Sequence, residues 1–131
     1  MITFSVSGKE YKVKFGYKVL AKENLFKKII EATNQENGVE FEKIISMVPE
    51  LLLAGLQKYH KNEFGYITDK EREEKLEIIY DLLDSYEDEG TKDNPHSGYD
   101  LYNEMQEELM KNGFLSGIMK TTEKQSETSE K

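Results

Sequence analysis

The chain has 131 residues, of which 34% are charged and 37% are hydrophobic, and its formal net charge is -8. A chain of this length has room for one core, and its apolar fraction is too high for a wholly disordered protein. The absence of cysteine excludes a disulfide framework, a thiolate metal site and a cysteine nucleophile.

The charge is distributed unevenly along the chain. Residues 1–28 contain seven lysines against Glu10 and Glu23, a net of +5, which leaves -13 for residues 29–131 in the total of -8. The single arginine, Arg72, lies in an acidic stretch, which disfavours nucleic-acid binding. The polarity fits head-to-tail self-association or a basic partner, or else a solvated surface.

The opening residues predict neither a signal peptide nor a membrane span. The start "MITFSVSG" has no basic region and no long apolar core. The longest strictly apolar run, "LLLA", is far below the roughly 20 residues that cross a bilayer. We therefore expect an intracellular protein.

The N-terminus predicts a β-hairpin. Apolar and polar residues alternate over residues 2–6, and the alternation resumes over 11–15 after "SGKE". Because an isolated hairpin is marginal in water, we expect its apolar face to pack on helices or to pair with the strands of another chain.

Two helices are expected next. The first runs from about Val19 to Thr33 and ends at "NQENG". The second begins near Val39 with an apolar stripe that continues to Tyr59. Pro49 should kink or break this helix, because its ring removes one backbone donor and disfavours helical geometry at the preceding residue.

Two further helices complete the predicted architecture. Thr68 and Glu71 have capping-box spacing, so the third helix should start there and run to about Tyr86. After a loop at 90–98, the fourth covers about Tyr99 to Lys111, with Leu101, Tyr102, Met105 and Leu109 inward. The fold class is therefore α+β, an N-terminal β-hairpin followed by about four α-helices, mainly helical. We expect one domain over 1–119 and a disordered C-terminal tail over 120–131, since "TTEKQSETSEK" has no apolar residue.

No enzyme constellation is visible in the sequence. His60 has no second histidine at helical spacing, and His96 lies far along the chain in a Pro/Gly loop. The acidic run "DSYEDEG" does not fit a calcium loop, because Ser85 and His96 would occupy its first and twelfth positions. We expect no catalytic, cofactor-binding or metal-binding residue, and we expect His60 to cap or hydrogen-bond where the second helix ends.

Surplus apolar surface is the remaining functional signal. The second half of the second helix is apolar nearly all round, and "GFLSGIM" follows the fourth helix. A small domain can bury such residues or share them with a partner. The residues that we expect to bind a partner are Leu51, Leu53, Leu56, Phe114, Leu115 and Met119.

The order of these features resembles the tail assembly chaperones of long-tailed phages, and of prophages, that infect Gram-positive bacteria. The similarity covers roughly residues 1–120 and is most specific in "LLLAGLQKYHKNEFGY" and "EELMKNGFL". It implies a non-enzymatic protein of the host cytoplasm that binds the tape measure protein, forms homo-oligomers and is absent from the mature virion. It also implies that a longer frameshifted form recruits the tail tube protein. A small acidic adaptor or regulatory module that binds a single protein is the alternative.

Overall fold

The computed structural model describes residues 1–25, 27 and 41–111. The chain starts with an antiparallel hairpin of β1 (Ile2–Val6) and β2 (Lys9–Val13), in which Phe4 lies opposite Tyr11. Ser7 and Gly8 both have positive φ, 52° and 80°, as the two central residues of a type I′ turn require. The predicted hairpin is confirmed.

Five helices follow in the described part of the chain. They are α1 (Tyr17–Glu23), α2 (Phe41–Leu56), α3 (Lys61–Phe64), α4 (Asp69–Asp88) and α5 (Gly98–Met110). This confirms the predicted α+β class with mainly helical content. The short helix α3 lies between the second and third predicted helices.

The first predicted helix is interrupted. Helix α1 ends at Glu23 because Asn24 adopts the left-handed conformation, with φ 51°, which asparagine tolerates better than most residues. The continuous helix expected from Val19 to Thr33 is therefore wrong at Asn24. Its later apolar positions, Phe26, Ile29 and Ile30, lie outside the described residues.

Of the kink or break expected at Pro49, the break is wrong, because helix α2 runs through this residue. Pro49 and the preceding Val48 are both buried. Proline in a helix interior costs roughly 3 kcal/mol relative to alanine. Tertiary packing of the α2 side chains offsets this local cost.

The predicted starts of the last two long helices agree with the structure. Thr68 and Glu71 form the complete capping box of α4, with the Glu71 N–H donating to Thr68 Oγ1 at 3.1 Å. Helix α5 begins after Ser97, whose hydroxyl accepts from the N–H of Tyr99 at 3.2 Å. The four side chains expected inward from α5 are all buried.

The core lies between the hairpin and helices α2, α4 and α5. Buried side chains of the described residues form one continuous cluster, with α2 at its centre, because α2 contacts the hairpin, α4 and α5. The hairpin thus packs on helices of its own chain, one of the two arrangements expected. The expected domain boundary at residue 119 and the expected disordered tail lie outside the described residues.

The outer edge of β2 is closed by the end of α2. The N–H of Lys14 donates to the carbonyl oxygen of Gly55 at 3.0 Å, and the N–H of Lys12 donates to His60 Nε2 at 3.0 Å. Backbone donors of an edge strand are thereby satisfied within the chain. Among the helices of the described residues, none is long and apolar enough to cross a bilayer.

Candidate functional site

The leucines expected to contact a partner are core residues. Leu51, Leu53 and Leu56 are fully buried, so their side chains offer no surface for a partner in this fold. The expectation that these surplus leucines bind a partner is corrected here, because the hairpin, α4 and α5 pack around the second half of α2. Phe114, Leu115 and Met119 lie outside the described residues.

Exposed apolar surface instead lies at the other end of α2. Here the first half of α2, the last turns of α4 and the start of α5 enclose a groove of about 790 Å³. Four of its wall residues are large hydrophobic side chains that remain exposed: Phe41 (65%), Ile45 (69%), Tyr80 (48%) and Tyr99 (46%). We call this surface the α2–α4–α5 groove.

The geometry of the groove follows from how its three helices pack. The rings of Phe41 and Tyr99 meet with centroids 6.4 Å apart, so the N-terminal ends of α2 and α5 are adjacent. Pro49 lines the groove from α2, and Leu83 lines it from α4. A concave apolar surface with exposed aromatic rings is typical of a protein-binding site.

The rim of the groove is acidic. Asp84 and Glu87 line it from the last turns of α4. Glu87 Oε2 accepts from the N–H of Gly98 at 2.8 Å, whereas Asp84 has no hydrogen bond or ion pair with the described residues. The last turn of α4 contains no basic residue, although the negative end of a helix dipole favours cations. The groove therefore favours a partner with basic residues beside its apolar ones.

His60 is a structural residue of the hairpin–helix contact. Its Nε2 accepts from the N–H of Lys12, and its ring lies 5.4 Å from the ring of Tyr11. The histidine was expected to cap or hydrogen-bond at the end of the second helix, and it forms such a hydrogen bond. It precedes α3 without a side-chain cap there.

A cluster of polar side chains joins α1, α2 and α4. Arg72 pairs with Glu50 and lies 3.4 Å from Glu23, and the Tyr66 hydroxyl donates to Glu23. Burial and the hydrogen bond to Glu23 raise the pKa of Tyr66 to about 12. Burial alone would lower the pKa of Arg72, but Glu50 and Glu23 hold that pKa above its ordinary value. Glu50 and Glu23 both pair with Arg72, so the charges of the cluster are compensated within the fold.

The described part of the chain contains no cluster of side chains that could bind a metal ion. Over residues 1–25, 27 and 41–111, no group of three or more His, Asp or Glu side chains is close enough to hold an ion. His96 stacks on Tyr86, with centroids 4.6 Å apart, and its Nδ1 contacts the Tyr86 carbonyl oxygen at 2.9 Å.

The sequence did not single out the groove residues as a binding surface. Phe41 and Ile45 belong to the apolar stripe predicted for the second helix, and Tyr80 lies within the third predicted helix. The surplus of apolar residues in the sequence lies in the second half of the second helix, which is buried, so it did not indicate a groove at the first half.

Comparison with protein-family models, with curated proteins and with solved structures finds no match for this chain.

Proposed function

We propose that this chain is a non-enzymatic phage tail assembly chaperone that binds the tape measure protein and keeps it soluble while the tail tube assembles. The α2–α4–α5 groove is the observation that carries the proposal. Its exposed Phe41, Ile45, Tyr80 and Tyr99 suit the apolar stripe of an amphipathic helix laid into a groove. A tape measure protein is a very long, largely helical chain and presents many such stripes.

The charge of the chain fits this role. Its net charge of -8 keeps complexes with an apolar partner dispersed. The acidic rim at Asp84 and Glu87 attracts basic residues that flank an apolar stripe. Many weakly bound copies along one extended partner give high overall avidity.

The proposal includes where and with what the protein acts. It acts in the host cytoplasm, is absent from the mature virion and associates with itself. A longer frameshifted form brings in the tail tube protein. A small adaptor that binds one protein through the same groove is the alternative, and it differs in binding a single copy per partner without self-association.

Co-expression with a fragment of the tape measure protein tests the proposal. We expect the unchanged chain to move the fragment from the insoluble to the soluble fraction and to co-elute with it in size-exclusion chromatography. Ile45→Glu places a charge among the apolar anchors of the groove and should reduce the recovered complex by about tenfold or more, the loss typical of a central anchor.

The matched control is Ile67→Glu. Ile67 is 94% exposed and lies outside the groove, so this change adds the same charge elsewhere and should leave recovery unchanged. Circular dichroism checks that both variants fold. If the fragment stays insoluble with the unchanged chain, the proposed function is wrong. An equal loss of recovered complex with both variants would mean that the groove is not the binding site.

A further inference from the structure

We infer that the α2–α4–α5 groove also receives the apolar C-terminal segment 113–120 of a second copy of this chain, so that copies associate head to tail. The inference shares the groove with the proposed function but does not depend on the tape measure protein being its partner. It rests on the groove, on the sequence of the segment and on the position at which α5 ends.

The segment matches the groove in chemistry. Residues 113–120 read "GFLSGIMK", and their apolar positions Phe114, Leu115, Ile118 and Met119 follow the i, i+1, i+4, i+5 spacing of one helical face. Gly117 weakens an isolated helix, so the helical stripe would form against a complementary surface.

Charge is complementary as well. Lys111 and Lys120 flank the apolar positions, and no acidic residue lies between them. The groove presents the carboxylates of Asp84 and Glu87 beside its apolar wall. Opposite charges at the edge of an apolar contact fix its orientation and speed the encounter.

The groove and the start of the segment lie at opposite ends of α5. The groove contains Gly98 and Tyr99 at the start of α5, whereas the segment follows its last residue, Met110. A helix of 13 residues is roughly 20 Å long. From Lys111 to Phe114 an extended chain spans only about 10 Å. Phe114 therefore cannot reach the Gly98–Tyr99 end of the groove in its own chain, whereas the groove of a neighbour can receive the whole segment.

Such a contact joins two different surfaces. A heterologous contact of this kind builds open chains or rings, whereas a contact between identical surfaces stops at a dimer. Binding of another helix in the groove would compete with the contact and release subunits from the chain of copies.

Direct binding of the segment is the first test. The probe is a fluorescently labelled synthetic peptide of residues 111–122. The receptor is the full chain carrying Leu115→Glu, so that its own terminus does not compete. We expect saturable binding by fluorescence anisotropy, weakened at least about tenfold when Ile45→Glu is added and unchanged when Ile67→Glu is added.

Complementation between two full-length variants is the second test. By sedimentation velocity, the unchanged chain should form species that grow with concentration, whereas Ile45→Glu alone and Leu115→Glu alone should sediment as monomers. An equimolar mixture should form a dimer and nothing larger, because one variant retains only the segment and the other only the groove.

Two results would overturn the inference. One is the absence of saturable peptide binding. This would be the result if residues 28–40 of the same chain, which precede Phe41, occupied the groove. The other is a mixture of the two variants that remains monomeric. Binding of the peptide without binding of the tape measure protein would refute the proposed function and leave this inference standing. Binding of the tape measure protein without binding of the peptide would refute this inference and leave the proposed function standing.

Discussion

His60 illustrates how a reactive residue type serves the fold. Its Nε2 accepts from the N–H of Lys12 at 3.0 Å, so the ring proton of the neutral imidazole lies on Nδ1. The bond satisfies a donor on the outer edge of β2 that would otherwise face water or another strand. Lys14, two residues along, is held by the Gly55 carbonyl oxygen instead.

Replacing His60 should release one edge amide selectively. In His60→Phe the ring contact with Tyr11 is largely retained, but the acceptor for Lys12 is lost. We expect the free energy of unfolding to fall by about 1 kcal/mol and hydrogen exchange at the Lys12 amide to accelerate by about fivefold or more.

The Lys14 amide is the internal control for this prediction. Its acceptor is a backbone carbonyl that the substitution does not touch, so its exchange should change only with global stability. Equal acceleration at both amides would mean that His60 supports the whole hairpin and has no specific role at Lys12.

The contact between β2 and α2 depends on a glycine. A Cβ atom built at Gly55 would overlap Val13 Cγ1 far inside van der Waals contact and would also touch the ring of Phe15. Glycine at this position lets the strand approach close enough for the Lys14 N–H to reach the Gly55 carbonyl oxygen. The packing of β2 against α2 thus requires a small residue near the end of α2.

Gly55→Ala should destabilise the protein despite the higher helix propensity of alanine. We expect a loss of about 1–3 kcal/mol from overpacking, measured by urea unfolding. Val13→Ala removes the clashing methyl group and alone should cost about 2 kcal/mol. The double variant should lose clearly less than the two single losses added together; simple additivity would place the strain elsewhere.

Local signals in the sequence predicted the elements well where the physics is local. The turn at Ser7–Gly8 and the capping box at Thr68 depend on residues within four positions of each other, and both agree with the structure. Pro49 was misjudged because its cost is local while the packing that offsets it comes from α4, α5 and the hairpin. The groove was missed for a related reason: periodicity identifies apolar faces but does not say which of them a neighbour covers.

At the scale of the whole molecule, three tyrosines make the free energy of unfolding depend on pH in the alkaline range. Burial is the leading cause of a raised pKa at Tyr66, Tyr86 and Tyr102. Tyr66 reaches about 12, with the hydrogen bond to Glu23 as the second cause. A tyrosine in the unfolded chain titrates near 10. The native state therefore holds these protons more tightly than the unfolded state does.

The sign of the effect follows from linkage. Below pH of about 10 the tyrosines are protonated in both states and do not change the stability with pH. As pH rises from about 10 through the pKa of Tyr66 in the folded state, the unfolded state loses its protons first, so the free energy of unfolding falls.

Tyr66→Phe should make this fall shallower by up to about one proton's slope, measured by urea unfolding at several pH values between 9 and 12. Tyr59→Phe, at an exposed ring outside the ion cluster, is the matched control and should retain the slope of the unchanged chain. An unchanged slope in Tyr66→Phe would mean that the bond from Tyr66 to Glu23 does not hold the hydroxyl proton in solution.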